Sequence, residues 1–209
     1  MKLTIPSFER NGKIPGEFAL CVPAVEGHVA FAANRSPHLT WEDAPEGTRS
    51  FAVICVDVDA PTRPDDVNQE GRTVPFDLPR ANFYHWVLVD IPATQTELTA
   101  GLDSNGVTEG GKPAGPVAYG VRGINDYTSW FSGHEVMHGI YGGYDGPCPP
   151  WNDERVHRYY FRLYALDLAT LGMSGDFTAA DALKKMHGHI LAEDEWMGTC
   201  ALYENAKLP

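Results

Sequence analysis

Apolar residues along this chain fall into short runs that glycine and proline punctuate. Ser50–Val56 (SFAVICV) is a continuous apolar run of strand length and predicts a buried central strand, followed by Asp57-Val-Asp-Ala-Pro61. Phe83–Ile91 (FYHWVLVDI) predicts the next strand, stopped by Pro92. A third lies in the second half of Tyr144–Asp167 (YDGPCPPWNDERVHRYYFRLYALD), where residues alternate. His157, Tyr159, Phe161, Leu163 and Ala165 share one face, and Arg158, Tyr160, Arg162 and Tyr164 share the other. The first half of that stretch can be neither helix nor central strand, because Pro147, Pro149 and Pro150 lack amide donors. Gly146 beside them permits close approaches that a side chain would block.

The remaining segments are weaker. Phe18–Val22 and Leu39–Trp41 are short strand candidates. Residues 62–80 are polar, with prolines at 64, 75 and 79, and predict a long loop; Ala93–Gly143 has poor periodicity and frequent glycine. Thr178-Ala-Ala-Asp181 has the form of a capping box opening a helix, after which Ala182, Leu183, Met186, Ile190 and Leu191 recur at helical spacing, interrupted by Gly188. Thr199–Tyr203 is a candidate last strand. Closely spaced strands with helices only at the end predict a mainly β fold: an antiparallel, Greek-key-like sandwich with one or two C-terminal helices and long loops.

The length of 209 residues fits a single domain over 1–209. A net charge of −12 disfavours nucleic acid and anionic membrane surfaces as non-specific partners, so any anion must be held by a locally arranged site. No apolar run resembles a signal peptide or is long enough to span a bilayer. The four cysteines, Cys21, Cys55, Cys148 and Cys200, are widely spaced with no C-x-x-C pair. The expectation is therefore four free thiols in a cytoplasmic protein without membrane insertion.

Polar groups stand where apolar strands begin or end: Asp57 and Asp59, His85, and His157 with Tyr159. Buried carboxylates and imidazoles are costly unless paired. If these strand ends converge, they form a pocket of two imidazoles, two carboxylates, a phenol and the amides around Gly146–Cys148. Such groups suit a phosphate or carboxylate, with an aspartate able to accept from an ammonium. Asp57 and Asp59 do not form a calcium loop, since its glycine and closing glutamate are missing.

DVDAP, then His85-Trp86, then GPCPP followed by His157-Arg158-Tyr159 resemble the phosphatidylethanolamine-binding protein family, also called the Raf kinase inhibitor protein family, and most nearly its bacterial members. GINDYTSWF (Gly123–Phe131), YALD and the C-terminal GHILAEDEWMGT extend the likeness over most of the chain from Ser50. The resemblance implies a β-sandwich with C-terminal helices and a small anion pocket that receives phosphate or phosphorylethanolamine head groups. It places Asp57, Asp59, His85, Gly146, Cys148, His157 and Tyr159 at that pocket. Cys148 stands where many relatives have a glycine, and Val58 where proline is usual. It implies no cofactor, no catalytic residue, and a monomer or homodimer, and it allows a kinase-like protein partner.

Two other readings compete. One is a regulator acting through surface loops, including 62–80. The other is a zinc hydrolase using His134-Glu135-Val136-Met137-His138, which matches H-E-x-x-H. That motif needs a helix, and Gly133 and Gly139 bracket it while Gly142 and Gly143 follow, so a turn with surface histidines is expected.

Overall fold

The computed structural model describes residues 1–209. Its eleven strands are β1 (Lys2–Thr4), β2 (Cys21–Pro23), β3 (Val29–Phe31), β4 (Leu39–Glu42), β5 (Ser50–Pro61), β6 (Arg80–Pro92), β7 (Glu97–Leu98), β8 (Gly115–Val117), β9 (Gly120–Arg122), β10 (His157–Leu166) and β11 (Ile190–Cys200). Two α-helices, α1 (Tyr127–Trp130) and α2 (Ala179–Met186), accompany them. A six-stranded antiparallel sheet has the order β11-β10-β5-β6-β9-β8, a smaller sheet the order β1-β4-β7, and β2–β3 form a hairpin paired only with itself.

The sandwich follows from strand parity. Phe51, Val53 and Cys55 of β5 join Phe161, Leu163 and Ala165 of β10 on one face, packed on Leu3, Leu39, Trp41 and Leu98 of the smaller sheet. Ala52 and Ile54 point the other way with Val87, Val89, Tyr164 and Leu166, and α2 covers them through Ala179, Ala182 and Met186. With both faces covered, β5 must be apolar at every position, which is why SFAVICV does not alternate. DVDAP continues this strand to Pro61.

The C-terminal segment differs from the helical expectation. Gly188 adopts φ +84, ends the run after α2, and Ile190–Cys200 pairs along β10 from Leu166↔Ile190 to His157↔Cys200. Ile190 and Leu191 lie about two-fifths exposed, at 39% and 41%, so their apparent helical spacing buries no face. The last strand thus starts well before Thr199 and ends at Cys200. Of the one or two C-terminal helices expected, one forms.

That helix opens as its sequence dictates. The Thr178 hydroxyl accepts from Asp181 N–H at 3.3 Å, and the Asp181 carboxylate accepts from Thr178 N–H at 2.9 Å. Thr178→Ala removes one half of this reciprocal cap and should lower stability by about 1 kcal/mol, read from the urea midpoint. An unchanged midpoint would show that packing on the sheet alone holds α2.

The long aperiodic segment 93–143 is not one loop. It contains β7, β8, β9 and α1, ordered by buried polar ties in place of an apolar repeat. Asp103 accepts from Arg122 Nε at 2.6 Å and from Tyr144 N–H at 3.0 Å. Residues 62–80 likewise fold onto the body, enclosing a small cluster of Val67, Val74 and Leu78. The Asn152 side chain donates to the carbonyls of Asp66 and Arg72 beneath them.

The expectation of four free thiols is corrected. Cys21 and Cys148 are joined by a disulfide across 127 residues of sequence, while Cys55 and Cys200 are free and buried. Nothing in the spacing signals the pair, because the fold alone brings β2 against the proline-rich loop.

Candidate functional site

The site is built toward the end of β5, beside the starts of β6 and β10. Cys55 pairs with Trp86 but Val56 pairs with Tyr84, so His85 is the extra residue of a β-bulge. Strict alternation would send His85 to the opposite face from Trp86. The bulge brings it round, while Tyr84 goes to the α2 side. His85 then lies with its ring 5.2 Å from that of Tyr159, itself in register with Asp57. Asp57, His85, His157 and Tyr159 form the base of a cavity of about 560 Å³. Its walls are largely apolar: Val29 and Phe31 of β3, Val67 and Asn68 of the 62–80 segment, Phe131 and Trp130 near α1, and Cys148 with the two prolines after it.

His157 is clamped between two carboxylates. Nδ1 lies 2.6 Å from Asp57 Oδ2 and Nε2 lies 3.0 Å from Asp153 Oδ2. Asp153 is in turn gripped by Arg80 through two bonds of 2.6 and 2.9 Å. Burial alone would lower the pKa of His157, but Asp57 and Asp153 outweigh it and push it up to about 9. His157 is therefore an imidazolium whose two N–H groups are both consumed inside the protein. Contrary to the expectation from sequence, it offers no donor to a ligand; it fixes Asp57.

His85 has the opposite character. Its Nδ1 lies 2.9 Å from the carbonyl oxygen of Asp145, which can only accept, so Nδ1 carries a proton. Burial holds its pKa below the ordinary histidine value, against the pull of Asp57. Nε2 has no partner in the protein. Tyr159 is fully buried and its hydroxyl makes no hydrogen bond. The neighbouring buried tyrosines differ: Tyr127 donates to Gly146 O at 2.9 Å, Tyr141 to Met137 O at 2.7 Å and Tyr144 to Phe18 O at 2.5 Å. Buried hydroxyls are almost always paired, and Tyr159 is the exception among these tyrosines. Of the buried side chains without a partner (Trp41, Trp86, Ser104, Tyr159 and Trp196) it is the one that lines the cavity.

Two predicted residues take other places, and a third keeps its place with different chemistry. Asp59 does not line the cavity; Arg158 holds it through Nε at 2.8 Å and Nη2 at 3.0 Å, with Arg155 at 3.3 Å. Burial would raise its pKa, but the Arg158 bonds and charge win and lower it. Gly146 lies behind the cavity wall, where an added Cβ would sit 2.1 Å from Phe18 O, and its N–H donates to Asn34 Oδ1 at 2.8 Å. Its role is close packing of the loop. Cys148 does line the cavity, but as half of the disulfide it presents no thiol.

HEVMH forms turns, not a helix. His134 reaches the cavity, and its Nδ1 accepts from the amides of Val136 and Met137 at 3.2 and 3.1 Å; Glu135 and His138 are exposed. No sequence pattern points to Asp153 and Arg80, which complete the His157 clamp, or to the β2–β3 hairpin as a wall. Around and behind the base, three carboxylates (Asp57, Asp59, Asp153) pair with four cations (Arg80, Arg155, His157, Arg158).

Comparison with known proteins gives the family and the fold. The family model described as phosphatidylethanolamine-binding protein matches residues 4–201. A UPF0098 protein of Methanothermobacter thermautotrophicus is 32% identical over 198 residues, covering 95% of this chain and 97% of the relative. A UPF0098 protein of Aquifex aeolicus is 34% identical over 164 residues, or 78% and 72% of the two chains. Among solved structures, Escherichia coli YbcL, described as a member of the mammalian PEBP family, superposes with a TM-score of 0.64 at 25% identity, covering 96% of this chain and 97% of that one. A putative phosphatidylethanolamine-binding protein homologue from Chlamydia trachomatis gives 0.63 at 26% identity, covering 95% of each chain. With the sandwich in hand and the family model spanning nearly the whole length, the chain belongs to the phosphatidylethanolamine-binding protein family.

Proposed function

We propose that this protein reversibly binds a small phosphorylated ligand, phosphate itself or a phosphorylethanolamine-like head group, in the cavity over Asp57. The observation that carries this reading is the unpaired Tyr159 hydroxyl beside the free Nε2 of His85. An anion would accept from both, with His85 taking up a proton as it binds. Asp57, fixed by His157, would accept from an ammonium on the same ligand, and the apolar walls would hold any carbon chain attached to the head group. The family description points the same way. No helix is long and apolar enough to cross a membrane. The disulfide favours an oxidising compartment over the cytoplasmic location that free thiols would suit.

Phosphorylethanolamine titrated by calorimetry is the test. Tyr159→Phe should weaken binding by about 1.5–3 kcal/mol, as loss of a bond to a charged group does. Because burial keeps His85 neutral in the free protein, binding should take up a proton and strengthen as pH falls. Two buffers of different ionisation enthalpy will report that proton. Equal affinity for the Tyr159→Phe variant would reject the site.

A further inference from the structure

The β2–β3 hairpin supplies one wall of the cavity through Val29 and Phe31, yet it is weakly attached. Its strands pair only with each other, and of Cys21–Phe31 only Cys21 is buried. A few backbone bonds join its base to the body, among them Cys21 N–H to Pro147 O at 3.2 Å. At the far end, His28 stacks on Trp151 at 3.8 Å and pairs with Glu70 at 2.6 Å, both on the surface. The hairpin therefore spans from the proline-rich loop to the 62–80 segment, across the cavity. The strongest tie in that span is the Cys21–Cys148 bond, and both of its sulfur-bearing residues line the cavity.

We propose that this disulfide is a redox latch: closed, it holds the hairpin over the cavity, and thiol–disulfide exchange at Cys148 releases it. Cys148 is the point of attack because it is half-buried at the edge of the cluster of Leu20, Tyr127, Met137 and Tyr141, whereas Cys21 is a buried member of that cluster. A small thiol entering the cavity attacks Cys148 Sγ as thiolate, forming a mixed disulfide and breaking the bond to Cys21, which leaves as thiolate and takes a proton from water. A second thiol attacks the mixed disulfide, giving the Cys148 thiol and the oxidised small disulfide. Two thiols are oxidised and one protein disulfide is reduced. Once untied, the hairpin has little buried surface to keep it docked, and a segment of that kind opens locally at small cost. The sandwich, whose core the disulfide does not enter, stays folded.

Hydrogen exchange on ligand-free wild-type protein, oxidised and then reduced with dithiothreitol, tests the latch without reference to what the cavity binds. In the reduced protein, the amides at residues 21–31 should exchange close to free-peptide rates at short labelling times, while those of β5 and β10 remain protected. If the hairpin amides keep their protection, or gain exchange only by the same factor as the sheet, the latch is wrong. Limited treatment with glutathione followed by alkylation and mass spectrometry should find glutathione on Cys148 and the alkyl group on Cys21; the reverse pattern would overturn the assigned point of attack. The phosphate reading rests on the phosphorylethanolamine titration, so an empty cavity and an immobile hairpin are separate failures.

Discussion

Replacing His157 by alanine will destabilise the protein by about 3–5 kcal/mol, the usual cost of leaving buried charges without their partner. Asp57 and Asp153 both lean on this imidazolium, at 2.6 and 3.0 Å, and all three are buried. The effect has a signature in pH. Its folded pKa of about 9 lies above its ordinary value of 6.5, so the stabilisation is fully present below pH 6.5. It is lost as pH rises through 9, a fall of about 3 kcal/mol on the linkage relation. Asp153 works in the other direction. Burial would raise its pKa, but His157 and Arg80 hold it below the ordinary carboxylate value, so its contribution is present above that value and fades as pH drops through the lowered one. Wild-type stability should therefore plateau on the acid side of neutrality and decline toward pH 9. Urea unfolding from about pH 2 to pH 10 measures both effects. A His157→Ala variant that loses less than about 1 kcal/mol, or that keeps the alkaline decline, would dismantle the clamp.

Removing the disulfide will be comparably costly. Closing a loop of 127 residues restricts the unfolded chain, and the chain-entropy relation gives about 5 kcal/mol for that length. The double substitution Cys21→Ser with Cys148→Ser should shift the guanidinium midpoint down by an amount matching that of wild-type protein under dithiothreitol. A shift of less than about 1 kcal/mol would mean that the freed hairpin regains in the folded state most of the freedom that the unfolded chain gains. A serine pair much less stable than the reduced wild type would instead point to buried hydroxyls as the source.

How much of the structure is legible in the residues alone depends on how each element is buried. β5, β6 and β10 are legible because the core takes their apolar side chains in a strict pattern. The base of the cavity is legible for a related reason: Asp57, His85, His157 and Tyr159 are polar groups set into apolar strands, which chemistry tolerates only with partners. β11 is hidden because Ile190 and Leu191 imitate a helical repeat while facing partly outward. Asp59 departs from the expected pocket because the second carboxylate of DVDAP turns to Arg155 and Arg158, and only the paired strands show this. The Asp153–His157 contact and the Cys21–Cys148 bond depend on loops with no periodic signal, so no local pattern reveals them.

The bulge at His85 makes the site a matter of counting. One residue too many in β6 is what places an imidazole beside Tyr159; deleting a single residue there would remove this one of the three irregularities in the ladder to β5 and swing the ring toward α2. Such a deletion should leave the sandwich at least as well bonded while emptying the cavity base of its free nitrogen. In this fold, then, a shortened strand can be the sounder scaffold and the poorer receptor, and the two properties answer to the same residue number.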